Sequence, residues 1–193
     1  MKETKAYRPT EWIDPRVEIR PSPIHGKGMF ATGPIRQGEV VNIWGGTFLL
    51  TDEDIREGGT KSEWRAKGYV WSTIGEGLYL ASRLDEDNKD LTNFINHSCD
   101  PNVCMQDEVT LVARRGTAVG EELMVDYAMF EGDEEWVGRF ECRCGSGLCR
   151  GRFTGKDWRR QDLQERYGER FSPFINERIR GLRASERGDG DVR

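Results

Sequence analysis

Three cysteines in Glu141-Cys142-Arg143-Cys144-Gly145-Ser146-Gly147-Leu148-Cys149 constrain the fold more than any other stretch. A structural zinc site takes four ligands in a tetrahedron, with sulfur at about 2.3 Å. Thiolates at this C-x-C-x4-C spacing wrap one ion, because Gly145 and Gly147 permit the tight backbone between them. The fourth ligand must come from elsewhere, so the folded chain has to carry a distant residue back to this segment. The sequence holds two histidines and five cysteines, which leaves Cys99, Cys104, His25 and His97 as candidates. The plain alternative, three unrelated cysteines in a loop, does not account for the spacing and the glycines.

The 193 residues suit one domain with extensions. Hydrophobic residues make up 36% and charged residues 33%, enough for a core inside a very polar shell. No apolar run approaches the roughly 20 residues of a membrane span, so no membrane partner is expected. The N-terminal MKETKAYRPTEW lacks the apolar stretch of a signal peptide. An intracellular, reducing location is expected, cytoplasmic or, in a eukaryote, nuclear, where cysteines serve as metal ligands or core residues. Net charge is −5, yet Arg139–Arg183 carries twelve basic and six acidic residues, a local +6 that leaves −11 on the remainder. An acidic body attracts cationic substrates, and a nucleic-acid binder is more often basic overall; direct nucleic-acid binding is not expected.

Along the chain, short alternating runs read as strands: RVEIR, GEVVNIWGG, GYVWSTI and GLYLAS around Gly75-Glu76-Gly77, VTLVARR and EELMVDYAMF. Thr51 with Asp54 three residues on reads as an N-cap for a helix over DEDIREG, ending at Gly58-Gly59. Beyond Cys149, GKDWRRQDLQERYG has helical composition, with Leu163 and Tyr167 on one face. SPFINERIRGL reads as a second helix with Pro173 in its first turn. The expectation is a mainly β chain with short helices. Its divisions are a loose N-terminal arm over 1–15, a β-rich domain over 16–130, a cysteine segment over 131–152, a C-terminal helical extension over 153–183 and a disordered tail over 184–193.

Three further pieces carry chemistry: HGKGMFA (His25–Ala31), NHSCDPN (Asn96–Asn102) and GEELMVDY (Gly120–Tyr127). In this order, followed by CRCGSGLCRG, they resemble the SET-domain protein lysine methyltransferases with a post-SET zinc segment. The resemblance covers about Val17 to Arg152. It implies a SET (β-clip) fold with knot-like C-terminal threading, a post-SET zinc segment and C-terminal helices. It also implies methyl transfer from S-adenosylmethionine to the side-chain amine of lysine, in a histone-like or other basic protein or peptide. Gly26, Lys27, Gly28 and Met29 would then border the cofactor through backbone groups, with glycines because backbone must approach the ligand closely. Asn96 and His97 would contact its methionine and adenine portions. Tyr127 matches the catalytic tyrosine, and also borders the cofactor; Tyr69 aligns with a second channel tyrosine. Cys99 is the fourth ligand that the resemblance implies, closing one structural zinc site with Cys142, Cys144 and Cys149 and leaving Cys104 as a buried free thiol.

The chain departs from the family pattern in places. The usual Tyr-x-Gly-Glu strand reads Ile43-Trp44-Gly45-Gly46, an arginine before the Asn-His pair is replaced by Asn93, and a frequent acidic position falls at Leu80 or Ala81. Phe153 or Trp158 is expected to pack on the adenine. TGKD at 154–157 is not a phosphate loop, because Asp157 replaces the hydroxyl residue and Gly151 is one position too close. Rival readings are a non-catalytic SET-fold module that scaffolds a basic partner, a small zinc protein, and a zinc hydrolase. The first is at odds with the retained tyrosine and Asn-His pair, the second leaves HGKGMFA unexplained, and the third lacks an open metal position.

Overall fold

The computed structural model describes residues 7–84, 94–138 and 140–188. Eleven strands and four helices are laid down in chain order. They are β1 (Trp12–Ile13), β2 (Val17–Pro21), β3 (Lys27–Ala31), β4 (Val40–Ile43), β5 (Phe48–Thr51), α1 (Asp52–Glu57) and α2 (Lys61–Ala66), then β6 (Tyr69–Gly75), β7 (Leu78–Arg83), β8 (Asn96–His97), β9 (Val103–Met105), β10 (Thr110–Ala113), β11 (Glu122–Val125), α3 (Gln161–Tyr167) and α4 (Pro173–Gly188). The larger sheet runs β1-β4-β10-β9-β11-β3-β2, with β8 joining β11 off that path; β5-β7-β6 form a second, smaller sheet. Asn93 lies outside the described residues.

The short strands of the larger sheet are held by non-local pairing. β11 pairs antiparallel with β3 on one side and parallel with β8 and β9 on the other, so that Val125 meets both His97 and Val103. A strand enclosed on both sides is buried and apolar, and Leu123 and Val125 have no exposed surface. The main core gathers Met29, Leu111, Leu123 and Val125 from this sheet with Leu163 and Ile175 from the C-terminal helices and Phe171 from the link between them. α3 and α4 thus cover the sheet and are not an appendage. Among the described residues no helix is long and apolar enough to cross a membrane.

Several local expectations shift. The loose arm over 1–15 is partly ordered, since Trp12 and Ile13 pair with Ile43 and Asn42 and Asp14 is buried. The strand over EELMVDYAMF stops at Val125, because the Asp126 carboxylate accepts from the Ala128 N–H and turns the chain into a 3-10 turn over Tyr127–Met129. The helix over GKDWRRQDLQERYG is broken at Arg160, which is extended (φ −69, ψ 125) between a 3-10 turn at Asp157–Arg159 and α3. α4 runs five residues into the tail expected over 184–193, and 189–193 lie outside the described residues. Helix α2, absent from the sequence reading, starts with a capping box between Thr60 and Glu63.

Candidate active site and cysteine cluster

The Gly26–Met29 stretch begins as a tight turn and continues as β3. The Ser22 N–H donates to the Gly26 carbonyl at 2.9 Å, and Gly26 takes a left-handed φ of +51, which favours glycine. Asn96 on β8 holds this turn from below. Its Nδ2 donates to the carbonyls of His25 (3.2 Å) and Lys27 (3.0 Å) and to Glu122 Oε1 (2.7 Å). Glu122 in turn accepts from the Ser22 hydroxyl at 2.9 Å. Gly28 is glycine for a reason the sequence did not show: a Cβ there would lie 2.1 Å from Glu122 Oε1. A side chain at that position would displace the Glu122 carboxylate from Asn96. Met29 has no exposed surface and belongs to the main core. Residues His25–Lys27 are exposed.

His97 and Tyr127 meet through the turn that follows β11. The Tyr127 N–H donates to His97 Nδ1 at 3.3 Å, so the ring proton sits on Nε2, which is 3.4 Å from Cys99 Sγ. Burial pushes the His97 pKa down to about 4, against the opposing pull of Asp126. The Tyr127 hydroxyl donates to the Ile95 carbonyl at 2.9 Å. Burial, reinforced by Glu122, raises its pKa well above the usual phenol range, so it stays a proton donor at neutral pH. Below the turn, Asp126 is fully buried and accepts from both guanidinium nitrogens of Arg150 (2.7 and 2.8 Å) and from the Tyr167 hydroxyl (2.8 Å). Burial alone would raise this carboxyl, but the bidentate Arg150 reverses the direction and holds it below the usual range. Arg150 also reaches Asp157 at 3.0 Å. Neither Asp126 nor Arg150 was singled out from the sequence; the pair spans 24 positions, and no local pattern marks it.

The four cysteine sulfurs of Cys99, Cys142, Cys144 and Cys149 lie within 4.8 Å of one another. A tetrahedron with sulfur about 2.3 Å from zinc sets its corners about 3.8 Å apart, and Cys99 Sγ is 3.8 Å from Cys142 Sγ. The donor set therefore fits a structural zinc ion. Cys99 is fixed from all sides: the Arg150 N–H donates to its sulfur at 3.3 Å, and Arg166 donates to its carbonyl at 3.1 Å. Burial pushes the Cys99 thiol up to about 11, whereas backbone N–H groups of Cys99 and Ser146 outweigh burial at Cys144 and bring it down to about 7. A coordinated cation deprotonates such thiols outright. Cys104 sits apart in the main core.

Phe153 stacks on His97 with centroids 4.2 Å apart and is 1% exposed; Phe140 stacks on His25 at 4.1 Å. Trp158, the other aromatic expected at an adenine, is buried in the main core and has no open face. Tyr127 also lines a cleft of about 200 Å³ whose other aromatic walls are Trp44, Trp71, Phe130 and Trp136. Glu131 and Arg65 are its charged members. Tyr69 is not there. Its ring packs edge-on against Phe48 and Trp64, and Trp71, two residues further on the same face of β6, reaches the cleft instead. Trp71, and not Tyr69, is among the residues lining this cleft. Trp44, which stands in the departed Ile43-Trp44-Gly45-Gly46 strand, packs edge-on to Phe130 at 5.0 Å.

Comparison with known proteins matches residues 26–128 to the family model described as SET domain. Histone-lysine N-methyltransferase ATX2 of Arabidopsis thaliana is 33% identical over 165 residues, 78% of this chain and 13% of that protein. The H3 lysine-4 specific histone-lysine N-methyltransferase of Schizosaccharomyces pombe is 33% identical over 150 residues, 70% of this chain and 15% of that protein. Human histone-lysine N-methyltransferase 2B is 33% identical over 150 residues, 69% of this chain and 5% of that protein. The chain spans only a small part of the length of these relatives.

Proposed function

The chain belongs to the SET-domain family, and from that premise we propose that it transfers a methyl group from S-adenosylmethionine to the side-chain amine of a lysine in a protein substrate. The observation that carries this reading is the placement of Tyr127. Its phenol stays protonated, lines an aromatic cleft, and stands on a turn whose other side is built by His97 and Asn96. The relatives are named as histone methyltransferases, which favours a histone-like or other lysine-rich protein as substrate.

S-adenosylmethionine supplies an electrophilic methyl when bound. The exposed residues His25–Lys27, tethered beneath by Asn96, offer it a rigid polar edge, with Gly26, Lys27, Gly28 and the Met29 main chain along one side and Asn96 and His97 along the other. The transfer is an in-line displacement, so its rate comes from holding the amine on axis and from local electrostatics, not from a covalent intermediate. Tyr127 orients the amine through its hydroxyl. The amine must arrive neutral although lysine titrates near about 10.4 in water, and the desolvating aromatic walls lower that value. Cys99, Cys142, Cys144 and Cys149 hold one zinc ion, which leaves no open metal position and ties the cysteine segment to the turn carrying Tyr127.

Incubation of the protein with labelled S-adenosylmethionine and lysine-rich proteins, read by intact mass, tests the reading. Tyr127→Phe is expected to cut turnover by about a hundredfold or more, the scale of losing one aligned donor, with calorimetric cofactor affinity within about twofold of wild type. Absence of cofactor binding by the wild-type protein sinks the proposal. Binding without transfer to any lysine-bearing substrate favours the non-catalytic scaffolding module instead.

A further inference from the structure

The cleft beside Tyr127 contains a carboxylate that the proposed chemistry does not use. Glu131 follows the 3-10 turn directly, and its N–H donates to the Tyr127 carbonyl at 2.8 Å, so its position is fixed relative to the phenol. One carboxylate oxygen, Oε1, accepts from the Asp133 N–H at 2.9 Å. The neighbouring acids are each neutralised by a cation: Asp133 by Lys61 at 2.7 Å, Glu134 by Arg159, Glu76 by Arg178. Among the described residues no such salt bridge is formed by Glu131. It is therefore a half-buried carboxylate in a mixed aromatic and polar wall, with no cation within salt-bridge distance; burial raises its pKa, with Lys61 and Arg65 acting in the opposite sense. An uncompensated buried acid is costly, and such a cost is kept where a ligand removes it.

The walls state the ligand's chemistry. A volume of about 200 Å³ is below the roughly 300–1,000 Å³ of pockets that take a whole small molecule, and suits a single extended side chain. Aromatic faces attract cations, and Arg65 already lies 4.8 Å over the Trp71 ring, so this wall accepts positive charge. An aliphatic stem with a cationic tip matches both features.

We propose that Glu131 is a substrate-positioning residue, accepting hydrogen bonds from the ammonium group of the lysine side chain as it enters the cleft, before that group releases a proton to solvent and reaches the Tyr127 hydroxyl as the neutral amine. The inference rests on the methyl-transfer reading in taking lysine as the entering side chain. It adds the group that selects a cation at the encounter. Truncating a partner of a buried charge weakens binding, so the loss falls on KM before kcat.

The test uses the full chain with a blocked peptide carrying one lysine and the same peptide with norleucine in its place. Affinities are read from the quenching of tryptophan fluorescence and checked by calorimetry. Wild type is expected to prefer the lysine peptide by about tenfold, which is about 1.4 kcal/mol. Glu131→Gln erases that preference and raises KM by a similar factor, while Glu131→Asp, which keeps the charge, restores part of both. Thermal melting of each variant separates a folding defect from a lost contact. A wild type with no lysine preference, or a Glu131→Gln protein that keeps it, overturns the inference. If methyl transfer is absent while the preference remains and depends on Glu131, the functional reading falls and the cation site stands. If transfer proceeds and Glu131→Gln changes neither preference nor KM, the cation site falls alone.

Discussion

Two small regions face each other across the cleft, and they are held in opposite ways. On one side, the three-stranded sheet β5-β7-β6 with α1 and α2 supplies Trp71, Ser72 and Thr73. Its contacts are local in sequence: a hairpin register from Tyr69↔Arg83 to Gly75↔Leu78, two capping boxes, and a satellite core of Leu50, Ile55, Tyr79 and Ala81. On the other side, residues 136–156 supply Trp136 and the three late cysteines, with one isolated bridge, Val137↔Thr154, as their only strand-like pairing among the described residues. Their core is Cys99, Cys142 and Phe153. That is too little apolar surface to order about twenty residues against backbone entropy of about 1–2 kcal/mol each. The Arg150–Asp126 pair supplies part of the rest, and an ion held by the four cysteine sulfurs would supply more. The first region is stabilised by what lies next to it in the chain, the second by what lies far away.

Metal removal should break the comparison most sharply. Four-thiolate zinc sites carry on the order of 10 kcal/mol or more of apparent binding free energy. A chelator is expected to open residues 136–156 to protease and to amide exchange while β6 and β7 stay protected. Equal loss of protection on both sides would show that the two regions are one cooperative unit. Arg150→Ala ranks next. It strands the buried Asp126 carboxylate and is expected to cost about 3–5 kcal/mol in denaturant unfolding, with loss of order around Tyr127 as well as around the cysteines. A cost below about 1 kcal/mol would mean that solvent or another cation reaches Asp126. Thr60→Ala is the smallest perturbation, about 1 kcal/mol for a lost N-cap. It is expected to raise amide exchange in α2 and leave zinc retention unchanged; a change in metal content would contradict the independence of the two sides.

Legibility from sequence followed the same division. The hairpin around Gly75-Glu76-Gly77 and the Thr51–Asp54 cap could be read because each signal lies within a few residues of what it determines. α2 carried the same kind of signal at Thr60 and Glu63, but a single apolar residue, Trp64, gave it no periodicity to notice. The Gly26–Met29 turn, the Asn96-His97 segment and Tyr127 were legible as contiguous motifs, and the structure brings them together. Asp126, Arg150 and Glu131 were not, because what distinguishes them is burial beside residues distant in the chain. That Trp71 and not Tyr69 lines the cleft is a register matter: residues two apart share a strand face, and only packing decides which one reaches the cleft. Gly28 was expected as a glycine on a ligand argument; the structure adds that a Cβ there would press on the Glu122 carboxylate.

The parallel docking of β8 on β11 has a consequence for how the molecule comes into being. During synthesis, Cys99 emerges well before Val125, its ladder neighbour's partner strand, and before any of the three sulfurs it will join. Until then the Asn96–Cys99 stretch lacks its ladder partner β11, although the earlier His25–Lys27 turn is already made, and its thiol stands apart from the other three. Contacts of such long separation form late, so the region around His97 and Tyr127 is completed from its far end. A ribosome-bound fragment ending before Cys149 should accordingly be more open to thiol oxidation than the finished chain.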